Sequence, residues 1–119
     1  MSEELLWNDW LRLASADLAA RGIAVVTIDG SRIRDKDTFL DEFARELKFP
    51  DYFGNNWDAF EECLQDLAWL QAGGLLLIYR DSCFFRNSHP DEWAIASGII
   101  LDAVEHWKVP GFSFKVLFV

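Results

Sequence analysis

Basic residues are scarce in this chain. Eleven Lys and Arg stand against 20 Asp and Glu among 119 residues, giving a formal net charge of −9. Binding to a phosphate backbone depends on clustered Lys and Arg, so the balance argues against nucleic acid as a direct ligand and for a basic partner. Cysteine is scarce too. Cys63 and Cys83 are too few for a disulfide framework; the pattern predicts a buried reduced thiol at Cys63 and a second thiol near the surface at Cys83, with nothing supporting a bridge between them. No C-x-x-C, H-E-x-x-H, G-x-S-x-G or Walker loop occurs, which points away from an enzyme and from any cofactor or metal. No apolar run approaches the length of a membrane span. The first apolar residues follow Glu3 and Glu4 and are interrupted by Asn8, Asp9 and Arg12, unlike a secretory signal, so a cytoplasmic location is expected. Repeats, linkers and low-complexity segments are absent. With 51% hydrophobic residues and six Trp, the chain has the material for one core, and residues 1–119 are expected to form a single domain.

The shortage of positive charge is most acute in one window. Between Lys48 and Arg80 there is no basic residue, while Asp51, Asp58, Glu61, Glu62 and Asp66 all fall there. A solvated helix ordinarily mixes both signs, because opposite charges at i,i+4 stabilise it and like charges oppose it. At about 100° per residue, Asp58, Glu61, Glu62, Gln65 and Asp66 share one side of a helix, and Ala59, Phe60, Cys63, Leu64, Leu67 and Leu70 the other. The apolar side packs inward, leaving the acidic side for water or a partner, with Trp69 expected beside the acidic line. Upstream, Tyr52-Phe53-Gly54-Asn55-Asn56 reads as a turn in which Gly54 takes a positive φ and Asn55 or Asn56 caps the helix. Asp58 in the first turn suits the helix dipole, but that cannot account for Glu61, Glu62 and Asp66 further along.

Elsewhere the chain alternates helix and strand. Leu6, Trp10, Leu13, Ala14 and Leu18 recur at helical spacing, predicting an amphipathic helix over 3–20. Ala24 to Ile28 predicts a strand ended by Asp29-Gly30. Phe39, Leu40, Phe43, Ala44 and Leu47 mark a helix begun near Asp37 or Thr38 and stopped by Pro50. After the acidic helix, Gly73-Gly74 releases the chain into Leu75 to Tyr79, an apolar run typical of a buried parallel strand. Arg80 to Asn87 reads as a mobile loop. Ser88 with Asp91 suggests a capping box for a helix from His89 to Trp107, and Pro110-Gly111 precedes a last strand from Phe112. That order is α/β with a small parallel sheet.

Phe49-Pro50, Tyr52-Phe53-Gly54, Asn56-Trp57-Asp58-Ala59 and Cys63-Leu64 together resemble the signature of the barstar family, small intracellular inhibitors of ribonucleases. The resemblance covers residues 23–119 and leaves 1–22 as an N-terminal helical extension. It implies a three-stranded parallel sheet covered by helices. It also implies a basic ribonuclease as partner, either barnase-like or the nuclease domain of a toxin, with this chain as the immunity protein. The contact set it implies is Tyr52, Gly54, Asn56, Trp57, Asp58, Glu61 and Glu62, with Asp66 and Leu67 at the rim. Asp58 and Glu62 match the family's two principal acidic contacts, and Tyr52 an aromatic that packs near the nuclease's catalytic histidine. A further acid from the end of the last helix corresponds to Glu105 or His106, with Glu105 favoured. Trp57 reads equally as a contact or as a lid on the core. Two other functions compete: a binding module that inhibits nothing, and a phosphoesterase holding Mg²⁺ on Asp58, Glu61 and Glu62. The extension's stripe of Leu6, Trp10, Leu13 and Leu18 is expected to dock on the chain's own fold or on a second copy.

Overall fold

The computed structural model describes residues 3–108 and 111–119, with side chains from Arg12 onward. Three parallel strands, β1 (Ile23–Asp29), β2 (Gly74–Arg80) and β3 (Ser113–Phe118), form one sheet in that order. Ile23 pairs with Gly74 through to Asp29 with Arg80, and Gly74 with Ser113 through to Tyr79 with Phe118. Parallel neighbours need long crossovers. The first carries α2 (Lys36–Glu46) and α3 (Trp57–Asp66), and the second α4 (Cys83–Ser88) and α5 (Pro90–His106). β2 is the central strand. Leu75, Leu77 and Tyr79 enter the core from one of its faces, and Ile78 is buried on the other, which is why its sequence is continuously apolar.

The core is built largely of rings. Phe39 of α2 stacks on Phe43 at 4.4 Å and meets Phe60 of α3 edge-on at 5.3 Å. Phe43 also meets Phe60 at 5.2 Å and Tyr79 at 5.6 Å. Phe85 of α4 and Ala96, Ile100 and Ala103 of α5 close the cluster. Such offset and edge-on pairs add stabilisation beyond the area they bury. The Tyr79 hydroxyl sits inside this cluster without a hydrogen-bond partner among the described residues. Gly30 is required by close approach, since a Cβ there would collide with the backbone carbonyl of Arg80.

Several local expectations are corrected. α2 starts one residue earlier than expected because Asp35 is its cap: Asp35 Oδ1 accepts the Thr38 N–H at 2.8 Å, and Thr38 Oγ1 accepts the Asp35 N–H at 3.0 Å. The helix ends at Glu46, ahead of Pro50, as Lys48 turns left-handed with φ 56. The supposed loop 80–87 contains α4. Ser88 does not cap α5; its hydroxyl donates to Phe84 O at 2.7 Å, closing the preceding turn instead. The N-terminal helix α1 spans Glu3–Ala20 and lies against β1. Leu6 and Trp10 lie outside the residues whose side chains are described, whereas Leu13 is 70% exposed and therefore not a docking residue within this chain. Both cysteines are free, Cys63 buried and Cys83 half-buried.

Candidate protein-binding face

The turn before α3 sets up the face. Phe53 N–H donates to Pro50 O at 3.0 Å, closing the chain on itself. Asn56 caps α3: its Oδ1 accepts the Ala59 N–H at 2.8 Å, and its Nδ2 donates to Gly54 O at 3.2 Å. The left-handed residue is Asn55, with φ 51, and not Gly54 as expected. Asn tolerates that region through its short polar side chain. Gly54 instead leaves room for the Asn56 amide, whose Nδ2 lies 3.2 Å from where a Cβ would stand.

α3 divides by face as its sequence requires. Phe60, Cys63 and Leu64 are buried, and Asp58, Glu61, Glu62 and Asp66 are exposed. Tyr52 is 72% exposed and projects beside the same helix. Its phenol pKa is pushed up by desolvation first and then by the charges near Asp66, Cys63 and Glu62. The Cys63 thiol is pushed up by burial and then by Asp66 and Glu62, so it stays protonated and inert. Tyr52, Glu62 and Asp66 thus occupy one corner of the surface. Phe53 turns in and packs edge-on against Phe49 at 4.9 Å.

Leu67 leaves the candidate set. It ends α3 in the left-handed region with φ 52 and its side chain is only 2% exposed. The strain of that backbone, about 1–2 kcal/mol for a non-glycine residue, is offset by burying a leucine, worth roughly 1.5–3 kcal/mol. The reversal also carries Trp69 away from the acidic line, correcting the expectation for it. Trp69 donates its indole N–H to Leu47 O at 2.9 Å and packs edge-on on Phe49 at 5.9 Å.

Trp57 is half-buried, with its Nε1–H on Glu92 Oε2 at 3.0 Å and its ring edge-on to Phe39 at 5.4 Å. Lys36 Nζ lies 5.5 Å from the ring centroid, a cation–π contact. Neither Lys36 nor Glu92 stands out in sequence, because the indole joins them across three elements. Trp107 donates to Leu64 O at 2.7 Å, so α5 runs beside α3 with starts and ends matched. Glu105 is exposed and paired with Lys108 Nζ at 2.8 Å. His106 is exposed at the helix end, its ring 4.9 Å from Trp107. By helical geometry, exposed Asp102 stands roughly 60° closer than Glu105 to the flank that meets α3. Asp102 was missed in sequence; its spacing of three from Ile99 and one from Ala103, both core residues, is the signal that places it.

The face is convex. The described grooves lie elsewhere, the largest about 710 Å³ along β1 between Val25, Thr27, Lys48 and Trp69, and none is lined by Asp58, Glu61, Glu62 or Asp66. A small molecule favours a concave site; a protruding charged helix fits the cleft of another protein. Among the described residues, no three His, Cys, Asp or Glu converge to hold a metal ion. No described helix is long and apolar enough to cross a membrane. A search of curated proteins found no match. The family model described as Barstar (barnase inhibitor) matches residues 23–119. The sheet order, the capped turn and the acidic α3 all lie within that match, and the chain belongs to the barstar family.

Proposed function

We propose that this protein inhibits a basic ribonuclease by inserting α3 and the turn before it into the enzyme's substrate cleft. One observation carries the reading: Asp58, Glu61, Glu62 and Asp66 stand exposed on one helix face, in a segment without a single Lys, Arg or His. Carboxylates so arranged offer acceptors to the Arg, Lys and His groups that would otherwise hold RNA phosphates, through charge-assisted hydrogen bonds. Tyr52 contributes an exposed aromatic at the edge, of the type enriched at protein interfaces. Gly54 and Asn56 form the exposed approach to the helix, and Asp102 or Glu105 of α5 extends the negative surface. Inhibition is by occlusion, with no chemistry performed by this chain. Where the nuclease is a toxin, the protein is its immunity partner.

The test is a titration of small basic ribonucleases and ribonuclease toxin domains with this protein, read by RNA cleavage. Stoichiometric inhibition that weakens as salt rises is expected, because exposed charges are screened beyond about 10 Å at 0.1 M ionic strength. A panel showing binding without loss of cleavage would make the protein an adaptor. No binding at low ionic strength would end the proposal.

A further inference from the structure

α3 is held at both ends by α5. At its start, the Trp57 indole donates to Glu92 Oε2 at 3.0 Å, while Phe39 and Phe60 meet the ring edge-on at 5.4 and 6.0 Å. At its end, the Trp107 indole donates to Leu64 O at 2.7 Å. Leu64 O is one of the last four carbonyls of α3, which lack an intrahelical partner. The two tethers are roughly 10 Å apart along the helix at 1.5 Å per residue. Core packing of Phe60, Cys63 and Leu64 anchors the buried side of the helix, and a tether at each end further restrains its rotation and tilt. Asp58 directly follows Trp57, and Glu61 and Glu62 lie between the tethers.

We propose that Glu92 and Trp107 are positioning residues for the acidic face: they set the rotation and tilt of α3, so that its carboxylates meet a partner already arranged. Trp57 is the handle by which Glu92 holds the helix and is not itself the main contact. The inference rests on the reading of α3 as an inhibitory face. Its physical basis is pre-organisation, since a helix ordered beforehand loses less freedom on binding. Glu92 is half-buried with its carboxylate turned to the indole, as a tether requires.

Glu92→Gln, Glu92→Ala and Trp107→Phe in the full chain test this through two readouts. One is amide hydrogen exchange at residues 60–66 of the free protein; the other is the dissociation rate from an inhibited ribonuclease. Glu92→Ala and Trp107→Phe should raise both rates about tenfold, the scale of losing one hydrogen bond of this strength. Glu92→Gln should match wild type in both, because its carbonyl accepts the same indole proton. If Glu92→Gln dissociates as fast as Glu92→Ala while its exchange stays at wild type, Glu92 is a charge contact and the inference is wrong. Unchanged exchange and dissociation in Glu92→Ala would also overturn it. Hydrogen exchange needs no nuclease: if no ribonuclease is inhibited, the function falls and the tethers are still judged by exchange alone. Should Trp107→Phe fail to fold, the contrast between the two Glu92 variants decides.

Discussion

Replacing Glu62 by alanine separates a binding role from a folding role most cleanly. Glu62 lies at i+4 from Asp58 and i−4 from Asp66, all three exposed on one face of α3. Each like-charge pair at that spacing opposes the helix by about 0.2–0.5 kcal/mol, so removing Glu62 should stabilise the free protein by roughly 0.4–1 kcal/mol. Binding should move the other way. Truncating one member of a buried, hydrogen-bonded charge pair costs about 2–5 kcal/mol, much of it from the charge left unpaired on the enzyme. Complexes of this family helped establish that range, so it serves as calibration. Asp58→Ala is less decisive for stability, because relief from Glu62 is offset by the loss of a first-turn acid worth about 0.3–1 kcal/mol to the helix dipole. The assay pairs inhibition titrations at low and near-physiological salt with urea unfolding of each variant. Affinity lost together with comparable stability would mean that Glu62 holds the fold; unchanged affinity would mean that the wrong face has been assigned.

Asn56→Ala should lower stability by about 0.5–2 kcal/mol through loss of the cap on Ala59, with Asn56→Asp largely retaining it; thermal melts decide, and equal melting temperatures would refute the cap's role. Tyr79→Phe should raise stability by about 1 kcal/mol, since it removes a buried hydroxyl that has no partner among the described residues, and a lower denaturation midpoint would show that the hydroxyl is satisfied. Asp35 has its pKa lowered by the Thr38 backbone and side-chain hydrogen bonds. A depressed carboxylate contributes stability above its unfolded pKa, near 4, that is lost as pH falls through the folded value, so Asp35→Asn should flatten the acid limb of the stability profile. An unchanged profile would assign that limb to other acids. Deleting residues 1–20, which keeps the Gly22 carbonyl that accepts Gly73 N–H at 2.8 Å, should lower the melting temperature while leaving nuclease binding intact. Loss of binding instead would place α1 in the interface.

Pattern and charge in the sequence determined the α/β order, the parallel strands and the two-sided character of α3. Those features are local: a period of two or 3.6 residues, a run of like charge and a cap followed by an acid are all readable within a few turns of chain. Phe60, Cys63 and Leu64 turn in while Asp58, Glu61 and Glu62 face out because helical geometry leaves no other arrangement of that segment. Backbone conformation at single residues was less legible. The left-handed position fell on Asn55 instead of Gly54, and Leu67 adopted it to end the helix, since burial of the leucine outweighed the local strain. Only the tertiary structure decided what each tryptophan does. Trp57, Trp69 and Trp107 all donate their indole N–H to groups at least 22 residues away in sequence, and no spacing rule connects such partners. Glu42 with Arg45 and Glu105 with Lys108 pair locally, three residues apart, but only long-range packing tied Glu92 to the Trp57 indole, because that contact closes 35 residues of chain.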